Sequence, residues 1–270
     1  MQEGTVKAFL FEFTLMCAIV FILFFLLGGF LFAQFQPQLQ YEIIEGDAYV
    51  SGVSGPKQHI TIPENHDGYS VRGILSGAFE DDETVQTVEI EANTLRIGQR
   101  AFKHAGNLEQ IDGNMDGLTR IGVHAFEGTP FLADRQASDE NIIGSVLLFA
   151  STDDETYHVP SDVTHIAGGV LKGNDTVETL HIHSDVQTIE SEAFSDIEPL
   201  HTVMFEGDEV PLTFLGQHAF SNNPNLETIH QPDRTNLETV EGYVFYNTPW
   251  RAQNSEEGYY YFADHQIELD

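Results

Sequence analysis

Residues 177–194 read VETLHIHSDVQTIESEAF, and the spacing inside this stretch decides the fold. Apolar residues fall at Val177, Leu180, Ile182, Val186 and Ile189, and the stretch closes on the pair Ala193-Phe194. The same frame returns as VQTVEIEANTLRIGQRAF at residues 85–102, LEQIDGNMDGLTRIGVHAF at 108–126 and LETIHQPDRTNLETVEGYVF at 226–245. The closing anchors are Phe79, Phe102, Phe126, Leu171, Phe194, Phe220 and Phe245, separated by 23, 24, 45, 23, 26 and 25 residues. A period in this range marks stacked supersecondary units, each too small to bury its apolar face alone. The expected architecture is therefore a repeat solenoid, mostly β, with short parallel strands joined by turns and short helices. In it Leu180, Ile182, Val186, Ile189 and Phe194 share one core with Val88, Ile90, Leu95, Ile97 and Phe102.

Outward from this frame, the 45-residue interval between Phe126 and Leu171 contains one modified unit. It opens at Thr129-Pro130-Phe131 and ends in NIIGSVLLF, which reads as a hairpin turning at Gly144-Ser145. Thr248-Pro249-Trp250 opens a second such unit, so residues 248–270 are expected to cap the C-terminal end. At the other end, residues 41–76 alternate apolar and polar positions between glycine and proline punctuation. They are expected to form antiparallel strands that cap the first repeat. The solenoid proper spans 77–247.

Residues 13–33, FTLMCAIVFILFFLLGGFLFA, carry no charge over 21 positions, long enough for a helix to cross a bilayer core. Leu31 is bulky for a cleavage site after Ala33, which favours a retained signal-anchor over a signal peptide. Lys7 precedes the span, and no Lys or Arg occurs from 34 to 56, so residues 1–12 are expected in the cytoplasm and the rest outside. Residues 34–40 read as a short linker. Glu12 borders the span and either reaches the interface or contacts a neighbouring membrane helix. The sole cysteine, Cys17, lies within the span, which excludes an intramolecular disulfide and any multi-cysteine metal site.

The run ITIPENHDGYSVRGILSGAF at residues 60–79 and the repeated I-G-x-x-A-F elements resemble BspA-like bacterial surface leucine-rich repeats. The I-P-x-x-V element recurs in HVPSDVTHIAGGVLKG, and the resemblance covers roughly residues 41–262. It implies a secreted or surface-anchored solenoid that serves adhesion or partner binding. The cysteine often found shortly after the A-F pair in that family is missing here. An apolar N-terminal helix with an early glutamate is also similar to type IV pilin-like subunits, although Ala8, preceded by Lys7 rather than glycine, departs from that pattern.

Acidic residues number 43 against 11 basic ones, for a net charge of −32. Such a field repels phosphate backbones and excludes nucleic acid as a partner, while favouring a protein or cationic surface outside the cell. No nucleophile elbow, phosphate loop, H-E-x-x-H or dinucleotide fingerprint is present, so no enzyme class is indicated. Side chains on a strand alternate faces, and the repeat alignment gives an outward row of Glu89, Asp112, His158, His181, Met204 and His230. His183 is expected on the same face as His181. With His158 they would supply three imidazoles to a divalent metal, although no cofactor is required by the sequence. DGNMDG at 112–117 matches the first half of a calcium loop but has Val123 where the closing glutamate belongs. The function expected is a membrane-anchored, extracytoplasmic binding module. The alternative is a structural subunit of a surface assembly held together by its N-terminal helix and Glu12.

Overall fold

A computed structural model of the chain describes residues 38–55, 58–93, 95–138, 141–256 and 258–268. The expected membrane helix, the cytoplasmic segment with Glu12, and most of the linker lie outside the described residues. Among the described residues, no helix is long and apolar enough to cross a membrane.

Each coil contributes two short strands and a turn, because its apolar residues change spacing twice within about 23 residues. The first strands stack in parallel as two ladders. One comprises His59–Ile62, Thr87–Ile90 and Gln110–Gly113; the other comprises Thr156–His158, Thr179–Ile182, Thr202–Phe205 and Thr228–His230. The second strands also stack in parallel as two ladders, one with Leu95–Ile97 beside Leu118–Ile121 and the other with His165–Ile166, Thr188–Ile189 and Phe214–Leu215, which together make the second face. The two sets enclose a single core in which all ten apolar residues expected there are buried.

The A-F anchors stack as they do because the turns themselves are hydrogen bonded from coil to coil. Phe79 N–H donates to Ala101 O at 2.7 Å, Phe102 N–H to Ala125 O at 2.8 Å, and Phe194 N–H to Ala219 O at 2.8 Å. The rings follow, with centroids 4.8 Å apart for Phe79 and Phe102 and 5.3 Å for both Phe194–Phe220 and Phe220–Phe245. The glycine of I-G-x-x-A-F has a packing reason. A methyl group on Gly98 would lie 2.5 Å from Ser76 N, and one on Gly122 2.5 Å from Gln99 N, so the preceding coil leaves no room for Cβ.

The position three residues after each anchor holds Asp82, Ala105, Thr129, Asn174, Ile197, Asn223 or Thr248. Five of these seven side chains bond nearby backbone, which orders the turn without a cysteine. Asn223 is fully buried; it accepts from Ile197 N–H and donates to the carbonyls of Phe194 and Phe220.

Helix α1 (Pro130–Ser138) and helix α2 (Pro249–Asn254) both terminate a phenylalanine stack. Phe131 meets Phe126 edge-on with ring centroids 5.1 Å apart, and the Trp250 and Phe245 centroids are 4.8 Å apart. The hydroxyls of Thr129 and Thr248 play identical parts, donating to the carbonyls of Phe126 and Phe245 and accepting from Leu132 N–H and Arg251 N–H. After α1 the Ile142–Ile143 and Val146–Leu147 hairpin turns at Gly144-Ser145, as the sequence indicates. Its second strand pairs in parallel with His165–Ile166 and so widens the second face by one strand.

The N-terminal cap differs from expectation. Gln38–Ile44 is already strand, antiparallel to Asp47–Ser54, so residues 38–40 belong to the cap rather than the linker. His59–Ile62 is not part of an antiparallel cap: it runs parallel to Thr87–Ile90, with Ile60 and Ile62 opposite Val88 and Ile90, and opens the first coil. Buried apolar pairs on the repeat face set that register.

Candidate functional site

The second ladder of first strands holds its outward residues in strict register. His158 lies beside His181, His181 beside Met204, and Met204 beside His230. Two positions earlier on the same strands a second row forms, Thr156–Thr179–Thr202–Thr228. Between these rows Tyr157, Leu180, Val203 and Ile229 point into the core, as the period of two demands. The result is a flat polar face two residues wide and four strands long. The threonine row is written in the sequence as T-L-H-I, T-V-M-F and T-I-H, one threonine two positions before each outward His or Met.

Glu89 and Asp112 are neighbours on the other ladder, Glu89 between Thr61 and Asp112. The expected six-residue row is therefore two separate rows, because no strand pairing joins Gln110–Gly113 to Thr156–His158 among the described residues. The inserted unit from α1 to the hairpin lies between them in the chain. Asp112 remains on a strand and accepts from Gln110 Nε2 at 2.6 Å, and Asn114 turns its amide to Ala92 O; neither arrangement wraps a cation.

Of the three expected imidazoles, two come together. The His158 and His181 rings stack with centroids 4.2 Å apart. His183 is directed elsewhere: Nε2–H donates to Pro160 O at 3.0 Å and Nδ1 accepts from Asp185 N–H at 3.3 Å, which occupies both nitrogens. The strand ends at Ile182, so alternation no longer governs His183. In its place Glu206, which follows the Thr202–Phe205 strand, brings Oε1 to 3.1 Å from His181 Nδ1.

A second polar cluster escaped the sequence reading. Arg120, on Leu118–Ile121, pairs with Glu190, 70 residues away, and its guanidinium lies 3.5 Å from the centroid of the Phe214 ring. Glu190 stands at the motif position that Gly98 and Gly122 occupy, and it is 5% exposed. His165 is buried beside this cluster, with Nδ1 3.0 Å from Thr188 Oγ1. Burial first, and the Arg120 charge second, hold the His165 imidazole below its usual range. At the C-terminal end Tyr243, Tyr246, Tyr259 and Tyr261 expose their rings, and Tyr243 stacks on His218 with centroids 5.2 Å apart.

The BspA-type leucine-rich-repeat region model matches residues 56–153 and 141–265 in six copies. The chain belongs to this family. Its members' repeat, rather than any enzyme family, accounts for nearly all the described residues. The BspA-type chain aligns with a T. pallidum leucine-rich-repeat protein at 19% identity over 72% of this chain and 89% of that one, with a TM-score of 0.39. A leucine-rich-repeat protein from Bacteroides ovatus aligns at 18% identity over 78% and 56% of the two chains, with a TM-score of 0.33. The pneumococcal vaccine antigen PcpA aligns at 13% identity over 79% and 86%, with a TM-score of 0.30. None of the curated proteins matches the chain.

Proposed function

We propose that this BspA-type repeat protein is a membrane-anchored binding module whose solenoid faces the exterior and docks a protein or cationic surface on the Thr/His–Met face. The in-register rows Thr156–Thr179–Thr202–Thr228 and His158–His181–Met204–His230 carry this reading. They present a rigid, repeating set of donors and acceptors with one soft apolar side chain. Solenoids are quasi-one-dimensional, so such a surface can grow by repetition without an enclosed pocket. The uncharged span at residues 13–33 and the one-sided Lys7 support the anchoring and the orientation. The segment beyond Ala33 carries −31 of the charge, which favours cationic partners.

The test is capture of surface partners by the full chain at low and high salt, set against variants Thr179→Ala/Thr202→Ala and Met204→Asp. Loss of capture in both variants, with unfolding midpoints preserved, supports docking on this face. Capture unchanged in both moves the binding surface elsewhere. Protease applied outside intact cells is expected to remove epitopes beyond residue 34, and their protection would overturn the orientation.

A further inference from the structure

We infer that His158, His181 and Glu206 form a binding site for a divalent transition-metal ion of the zinc class. Each residue offers one donor atom, and the three donors lie within 4.8 Å of one another. Two neighbouring strands supply the histidines and the residue just after a third supplies Glu206, and all three backbones are hydrogen bonded before any ion arrives. Val159 N–H donates to His181 O at 3.0 Å, and Glu206 N–H donates to Ile182 O at 2.8 Å.

The donors are free to be used. The ring nitrogens of His158 make no hydrogen bond among the described residues, and its ring contact is with His181 alone. The His181 Nδ1–H···Oε1 bond to Glu206 converts to coordination when the ring takes the Nε2–H tautomer, which gives Nδ1 a lone pair. Metal–nitrogen and metal–oxygen arms of about 2.0–2.2 Å place tetrahedral donors roughly 3.3–3.5 Å apart. The His181–Glu206 pair, at 3.1 Å, needs to open only slightly to reach that separation. Bringing His158 in closes a gap of at most about 1.5 Å, from a 4.8 Å limit to the tetrahedral separation, and His158 is exposed and able to make that movement.

Two imidazoles and one carboxylate select zinc, copper or nickel over calcium and magnesium, which take all-oxygen shells. Three protein ligands leave a fourth position for water or for a group from whatever docks beside it. His183, the imidazole nearest in sequence, is excluded because both nitrogens are already engaged. The site shares His158 and His181 with the proposed docking face, but it stands whether or not that face binds a partner.

The purified full chain, stripped with chelator and kept in detergent, is titrated with Zn²⁺ alone in calorimetry, with excess Mg²⁺ and Ca²⁺ to saturate the diffuse acidic surface. One zinc site per chain is expected that neither competing ion displaces. His158→Gln and His181→Gln should each weaken it by about tenfold or more, and Glu206→Gln by a similar factor. His183→Gln should leave it unchanged. Co²⁺ substitution should give a ligand-field absorption that disappears in His181→Gln, a signature that a stability change alone does not produce. Only weak, multiple binding that Mg²⁺ removes would overturn the assignment, as would equal affinity in the parent and both histidine variants. A loss in His183→Gln matching that in His181→Gln would overturn the ligand set.

Discussion

His165 is a histidine whose surroundings alter its chemistry. It is buried, faces Thr188, and lies under the positive charge of Arg120, whose partner Glu190 is one coil further on. Its folded pKa is depressed, while the unfolded imidazole titrates near its ordinary value of about 6.5. Unfolding therefore takes up a proton once the pH falls below about 6.5, and the stability present above that pH declines until the folded group also titrates. His165→Gln keeps a polar group opposite Thr188 and cannot titrate. Urea midpoints at pH 7.5 and pH 5.5 should fall less for this variant than for the parent; equal falls would mean that His165 contributes nothing to acid sensitivity.

At the scale of elements, the insertion between Phe126 and Leu171 determines most of what is individual about this solenoid. It adds a strand to the second face, ends one phenylalanine stack at Phe131, and separates the two ladders of first strands. The Arg120–Glu190 pair ties together the coils on either side of it. Because Glu190 is nearly inaccessible, removing Arg120 leaves a buried carboxylate without its counter-charge. Arg120→Ala is expected to destabilise the fold by about 3–5 kcal/mol, whereas the apolar pair Arg120→Met with Glu190→Leu should recover most of the loss. Denaturant unfolding of both singles and the double variant measures this. Additive losses would show that the two side chains are not coupled.

For the whole molecule, the dominant global property is charge. Beyond Ala33, 41 acids against 10 bases leave a net negative charge that repels itself across the solenoid. Exposed ion pairs, such as Arg234–Glu209 at 3.9 Å, offset little of this. Added sodium chloride shortens the screening length from about 30 Å at 0.01 M to about 10 Å at 0.1 M. The melting midpoint of the full chain should therefore rise between these concentrations, while capture of a cationic partner should weaken. A midpoint that falls with salt would show that attractive pairs outweigh the net repulsion.

The sequence by itself determined the period, the two-strand coil, the buried rows and the neighbouring positions of His158 and His181. All of these follow from side-chain direction within a coil and the need to stack identical coils. Tertiary structure decided what happens between unlike coils. Glu206 joined the histidines because the next strand ends one coil over, a proximity that no spacing within a repeat reports. His183 left them because its strand ends at Ile182 and the Pro160 carbonyl takes its ring. The expected outward row broke into two because the insertion changes how coils meet, and Arg120 found Glu190 for the same reason. The one local sign of that pair was a glutamate at a glycine position, in ESEAF where other coils read GQRAF or GVHAF. A repeat sequence encodes each coil through local periodicity, whereas contacts across an interruption depend on three-dimensional distances set by the interruption itself.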